Sequence, residues 1–294
     1  MSTSHNSFTF EFSSEWLPPF QLVEPSLASC KLGPKFPNWI RNQRHIGHLD
    51  ISNSQISDTI PIWFSNLSSV IHCLNLSSNK IRGTLLRLSV VQNLSLRFLD
   101  LSHNQLFGTL PDNRKHFQVL VFLNLGYNNF SATLVSSLRN RISGTIPPCL
   151  GNLSSMINKG TEVTEHPYFS ENSTSYRNLG YNNFSGRIPM SMGHLISLQI
   201  LILRNNKLNG ELPTSLRNCS SLGFVDFGLN KLSGNVPSWI GEGLTQLYAL
   251  ILKSNRFQGN MPNEICHLAN LHFLDVSITE FLELFLHAWA TFLL

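Results

Sequence analysis

Three places along this chain hold residues whose types and spacing could do chemistry. Asp226-Phe227-Gly228 spells the metal-holding triplet of a protein kinase, in which a carboxylate grips magnesium beside a nucleotide. No glycine-rich phosphate loop or His-Arg-Asp loop accompanies it, and the alternation around it puts Asp226 and Phe227 in outward and inward strand slots. Gly241-Glu242-Gly243 lacks the third glycine and the preceding strand of a dinucleotide loop. His45 and His48 stand three apart, outside any helical pattern and without further ligands. Cys30, Cys73, Cys149, Cys219 and Cys266 are too scattered for a Cys-x-x-Cys metal site and odd in number for a disulfide framework, so buried free thiols are expected. On these grounds the chain is expected to be no enzyme and to hold no cofactor or metal.

The elements that position these residues follow one period. The pattern Leu-x-x-Leu-x-Leu-x-x-Asn-x-Leu-x-Gly-x-Ile-Pro recurs, most clearly at Leu96 to Pro111, Leu198 to Pro213, Leu222 to Pro237 and Leu247 to Pro262. Its Asn slot holds Cys30, Ser54, Asn79, Asn104, Asn128, Asn140, Asn182, Asn206, Asn230, Asn255 and Thr279, in steps of 24, 25, 25, 24, 12, 42, 24, 24, 25 and 24. In Leu198-Gln-Ile-Leu201-Ile-Leu203 the alternation sends Leu201 and Leu203 inward and Ile200, Ile202 and Arg204 outward, which makes a short strand. The Leu-x-Gly-x-Ile-Pro half then returns along the opposite face, with Gly for backbone freedom and Pro to set φ. The expected fold class is an α/β solenoid of leucine-rich repeats of the plant-specific type. Its right-handed coil carries a parallel β-sheet on the concave face and mostly loop and short 3-10 or helical turns on the convex face. The slot Asn has donors and an acceptor for main-chain groups of the turn and of a neighbouring coil, and Cys30 and Ser54 should be weaker rungs.

Composition agrees. With 42% apolar and 13% charged residues, a 294-residue chain can bury an elongated core built from nearest-neighbour contacts. The net charge of +4 comes from scattered Lys and Arg with no basic run, which argues against nucleic acid or a membrane surface as a charge partner. The outward slots form two columns. Six residues before the Asn slot stand His48, Cys73, Phe98, Phe122, Tyr176, Ile200, Phe224, Ala249 and Phe273; two residues further on stand Asp50, Asn75, Asp100, Asn124, Asn178, Ile202, Asp226, Ile251 and Asp275. Aromatic anchors beside hydrogen-bonding groups suit a protein or peptide epitope, so Phe98, Asp100, Phe122, Asn124, Phe224, Asp226, Phe273 and Asp275 are the candidate ligand-binding residues.

Gly before x-Ile-Pro, as in Leu208-Asn-Gly210-Glu-Leu212-Pro213, is the plant-specific form of the repeat. With Trp16-Leu-Pro-Pro-Phe20-Gln-Leu22, Ala28-Ser-Cys30-Lys-Leu-Gly-Pro-Lys-Phe36-Pro37 and the stretch from His48 to Phe64, the chain closely resembles the ectodomains of plant receptor-like proteins of the fungal-xylanase-receptor type. That resemblance covers about residues 10 to 277. It implies a cell-surface defence or developmental receptor, on the extracellular side of the plasma membrane. Its partners would be a protein, peptide or cell-wall-derived ligand, and a co-receptor or adaptor receptor-like kinase that transmits the signal. A soluble inhibitor or decoy like plant polygalacturonase inhibitors, or a non-functional receptor fragment, is the alternative.

Departures from that plan divide the chain. Residues 1–20 read as an irregular segment without a cysteine cap or a visible secretion signal. Repeats fill 21–156, the last one partial; an island-like loop rich in Ser, Thr, Asn and Glu fills 157–176; repeats resume over 177–279; an apolar tail fills 280–294. Phe281 to Leu294 is shorter than the roughly 20 residues of a membrane span and contains Glu283 and His287, so it is expected to cover the last coil as a short helix or frame-shifted tail. The heptapeptide Leu-Gly-Tyr-Asn-Asn-Phe-Ser occurs at Leu125 to Ser131 and again at Leu179 to Ser185, so duplication with partial deletion is expected to have made two arrays joined through a half-repeat and the island. Sequons at Asn66, Asn75, Asn93, Asn129, Asn152, Asn172, Asn183 and Asn218 fit a secreted ancestry, and Asn75 would project from the concave face.

Overall fold

Where inward leucines alternate with outward residues the chain forms three-residue strands, and nine of them pair in parallel into one sheet. They begin at His48, Cys73, Phe98, Phe122, Tyr176, Ile200, Phe224, Ala249 and Phe273, the residues of the first outward column, and pair slot to slot, as in Phe98↔Phe122 and Ile200↔Phe224. The computed structural model describes residues 16–67, 71–85, 96–110, 120–131, 145–146, 150, 175–277 and 280–281. Residues 1–15, most of the half-repeat, island residues 157–174, the tail beyond Phe281 and the sequons Asn93, Asn152 and Asn172 lie outside them.

The solenoid core runs behind the sheet. Leu49, Leu74, Leu99, Leu123, Leu201, Val225 and Leu250 are buried inward strand residues, each contributing about 1.5–3 kcal/mol relative to exposure. Above them each slot Asn closes one coil onto the previous one. Asn104 Nδ2 donates to Leu76 O in the preceding coil (3.0 Å) and to Leu101 O and Ser102 O in its own (3.1 Å each), while its Oδ1 accepts the Ile81 amide at 2.9 Å. The rungs thus reach backward along the solenoid. Ser54 makes the shorter version, with Oγ donating to Leu27 O and Ser52 O.

After each rung the chain turns through Gly at φ between +77° and +108° (Gly83, Gly108, Gly186, Gly210, Gly234, Gly259), a region that L side chains avoid. The flanking Leu-x-Gly residues form further short parallel strands, in sheets of five and three strands. Sequence reasoning expected only return loops here; every coil exposes the same unpaired main-chain groups, and neighbours satisfy them. Pro then opens 3-10 turns at Asn38–Asn42, Met190–His194, Thr214–Asn218 and Asn263–His267, with proline φ between −64° and −69°.

At the junction of the two expected arrays the sheet is continuous. Phe122 pairs directly with Tyr176, and the Leu125 amide donates to Asn178 O at 2.9 Å, so the sheet passes the insertion unbroken. Ile146 and Leu150 are buried in the same core, four residues apart like Leu212 and Leu216. The strand after the insertion begins at Tyr176, and Arg177 fills the inward slot that leucine or, once, valine holds in the other strands of this sheet.

Candidate ligand-recognition face

The outer face of the nine-stranded sheet carries all the candidate residues, but in separate groups. Phe98 stacks on Phe122 (ring centroids 4.2 Å, 6°) and Phe122 on Tyr176 (4.6 Å, 8°), because adjacent strands bring the same slot into register. Phe224 stands two coils further on and tilts against Tyr248 at 6.1 Å; Phe273, 52% exposed, lies on the last strand of the sheet. His48, Cys73 and Ala249, expected in the same outward stripe, are instead buried. Burial, and then the Asp50 carboxylate, push the Cys73 thiol up to about 12.

The second column is not a free ladder of hydrogen-bonding groups. Asp50, Asn75, Asp100, Asn124, Asn178, Asp226 and Asp275 each use Oδ1 to accept the backbone amide two residues on, at 2.9–3.2 Å, closing the turn after the strand. The other oxygens are also used: Asp100 Oδ2 accepts from Asn124 Nδ2 (3.1 Å), Asp226 pairs with Arg204 (3.5 Å) and Asp275 with Lys253 (2.9 Å). Burial raises Asp226 above the usual carboxylate range despite the Gly228 amide and Arg204. Asp275 sits in slight burial that would raise it, but Lys253 and Ser277 hold it below that range. The kinase-like triplet is therefore a turn cap: Asp226 serves the Gly228 amide.

A third column, missed in the sequence, lies beside these two. His103, Tyr127 and Tyr181 occupy the slot just before the rung Asn and stack at 4.2 and 4.1 Å in the same three coils as Phe98, Phe122 and Tyr176. Their φ of 53° to 56° turns the side chains outward, and Tyr127 is 43% exposed. Arg204 Nε donates to the Tyr181 hydroxyl oxygen at 3.1 Å. A hydrogen bond to Tyr181, then burial, raises the Tyr127 phenol. Tyr127 and Tyr181 come from the two copies of the repeated heptapeptide, which was the available signal.

Beneath this patch Arg177 is fully enclosed. It donates to Leu120 O (2.7 Å), Val121 O (2.8 Å) and Tyr176 O (2.8 Å), its Nε has no partner, and burial lowers the guanidinium to about 9. Among the described residues no three His, Cys, Asp or Glu side chains gather as a metal site, and no helix is long and apolar enough to cross a membrane. Of the sequons, Asn75 lies on the sheet face with Oδ1 accepting from Ser77, Asn129 and Asn218 are exposed, Asn183 is half-buried, and Asn66 falls in the short helix Phe64–Leu67.

Residues 45–67, 95–117 and 197–219 match the family model described as Leucine Rich Repeat. Receptor-like protein EIX2 of Solanum lycopersicum is 38% identical over 250 residues, covering 70% of this chain and 24% of that protein. Receptor-like protein EIX1 of the same plant is 46% identical over 111 residues, covering 38% and 11%. Among solved structures, the ectodomain of the Arabidopsis thaliana membrane receptor kinase GASSHO1/SCHENGEN3 in complex with CASPARIAN STRIP INTEGRITY FACTOR 2 superposes with a TM-score of 0.74 at 29% identity, over 96% of this chain and 33% of that one. The PEPR1–AtPEP1 complex gives 0.64 at 30% identity, over 80% and 28%. The chain thus spans about a quarter or less of the curated relatives it matches.

Proposed function

Because the chain is a leucine-rich-repeat solenoid similar to the ectodomains of plant receptor-like proteins, we propose that it is the non-enzymatic ligand-recognition part of such a cell-surface receptor. It binds a protein, peptide or cell-wall-derived elicitor, and a partner kinase carries the signal. The observation that carries this reading is the double ring stack, Phe98–Phe122–Tyr176 beside His103–Tyr127–Tyr181, confined to three adjacent coils of an otherwise mixed face. Between the stacks the acidic and amide groups are already paired, so the rings and the Tyr hydroxyls supply the contact. The two receptor–peptide complexes of similar fold support a peptide-sized occupant.

A direct test is titration of the immobilised chain with a fungal xylanase, the ligand type that the resemblance suggests. Phe122→Ala with Tyr127→Ala should weaken binding about tenfold or more, the size of a central hot spot. Equal binding by that variant, with its melting point retained, would remove the ring patch from the site.

A further inference from the structure

We propose that Lys207, Lys231 and Arg256 form a second docking site, on the flank of the solenoid, for an extended acidic peptide with Asp or Glu at alternate positions. In sequence these cations look scattered, 24 and 25 residues apart. The coil collects them into one slot: each directly follows a rung Asn and opens a flank strand, at Lys207–Gly210, Lys231–Asn235 and Arg256–Gly259. All three are exposed, whereas the next residues, Leu208, Leu232 and Phe257, are buried to 0%.

Charge bookkeeping on the two faces differs. On the sheet face Arg204 and Lys253 are neutralised by Asp226 and Asp275. On the flank, the side chains of Lys207, Lys231 and Arg256 make no hydrogen bond or ion pair among the described residues. Of the remaining acids of these coils, Glu211 directly follows the strand Lys207–Gly210 and lays its carboxyl end beside Gly234, three residues on from Lys231, while Glu242 lies in the helix Trp239–Gly243 and Glu264 in the turn Asn263–His267. The stripe is bounded. The same slot holds Asn183 in the coil before and Glu280 in the strand after. An uncompensated row of like charge raises the local concentration of an oppositely charged chain.

Spacing selects the occupant. Lys231 lies opposite Asn209, two residues on from Lys207, and Arg256 lies opposite Ser233, two residues on from Lys231. A step of ~4.8 Å between strands with a two-residue offset of ~6.7 Å sets successive cations about 8 Å apart. Alternate side chains of an extended peptide recur every ~6.7 Å, and long Lys and Arg stems take up the difference. A row one residue wide is narrower than the basic field that a duplex or an anionic bilayer requires.

The test uses the full chain and a synthetic peptide of alternating Ser and Glu, with the Ser-Gln peptide as control. Wild type should bind the Glu peptide and lose several-fold in affinity between about 50 and about 300 mM NaCl. Lys207→Glu with Lys231→Glu and Arg256→Glu should abolish binding, and the triple Gln variant should weaken it about tenfold. Circular dichroism and melting of both variants should match wild type, because the exposed charged ends make no hydrogen bond or ion pair among the described residues. The Phe122→Ala, Tyr127→Ala protein should bind the Glu peptide normally, which separates this site from the sheet face. Equal binding of the Gln peptide, unchanged binding by the Glu variant, or tighter retention of oligogalacturonate or duplex DNA by the same three residues would overturn the proposal.

Discussion

Asn182 Nδ2 donates to the carbonyl of Leu125 at 3.0 Å although 57 residues separate the two, and its Oδ1 accepts the Phe130 amide at 3.0 Å. Asn206 makes the equivalent bond to Leu179 O at 2.9 Å across 27 residues. The rung is therefore defined by coil adjacency and is indifferent to the chain between.

Removing this rung should strip partners from several buried groups at once. Asn182→Leu is expected to destabilise by about 2–3 kcal/mol, since each buried group left unpaired costs about 1–3. Ser54→Ala, which removes one hydroxyl and its two carbonyl contacts, should cost about 1 kcal/mol or less. Urea unfolding midpoints of the two variants decide the matter; equal losses would refute the rung hierarchy.

Arg177→Leu removes a desolvated cation but also strips donors from the Leu120, Val121 and Tyr176 carbonyls, so the two effects offset and its net loss should stay below that of Asn182→Leu. The sign of the pH dependence follows from a guanidinium that burial lowers to about 9, well below its ordinary range. Below 9 both states are protonated and the burial penalty is complete. Above about 9 the folded state releases the proton while the unfolded state still holds it, so stability rises with pH. The wild-type melting point should thus rise relative to that of the variant on going from neutral pH to above 9. A wild-type melting point that falls relative to the variant would contradict the assignment.

The ring stripe and the leucine core should respond differently. Phe98→Ala with Phe224→Ala is expected to cost about 1–2 kcal/mol per site, reflecting half-buried rings, one of them stacked at 4.2 Å. Leu203→Asp places a charge in a fully buried slot and should exceed about 4 kcal/mol. Calorimetry that finds the two changes equally damaging would make the stripe part of the core.

Thiol reactivity gives a check on burial. Cys266 is exposed, while Cys30, Cys73 and Cys219 are buried, with Cys73 and Cys219 pushed up to about 12 mainly by burial. Among these four described cysteines, mass spectrometry after brief iodoacetamide treatment should therefore find Cys266 alkylated first and Cys30, Cys73 and Cys219 only after denaturation. Early modification of Cys73 would contradict the closed end of the sheet face.

The strand positions were legible residue by residue, because a fixed period converts sequence slots directly into coil positions: the first outward column starts every strand, from His48 to Phe273. What escaped depends on contacts between coils. Asp100 and Asn124 look like free polar groups until adjacent strands set them against each other. Tyr127 and Tyr181 stand 54 residues apart in sequence, and left-handed backbone at a slot that alternation does not describe aims them outward. At the junction the outward column already ran from Phe122 to Tyr176, and the sheet pairs these two across the insertion. Arg177 breaks the leucine rule in plain view, but only the surrounding carbonyls explain how it is tolerated.

A sheet that closes over its own insertion gives the array a freedom that single-core proteins lack. Unequal recombination between equivalent slots changes the number of coils, or loads one of them with a long excursion, while neighbouring strands keep their pairing. Such a gene could remix its displayed side chains in whole-turn units, and the heptapeptide present at both Leu125 and Leu179 has the form that such an exchange would produce.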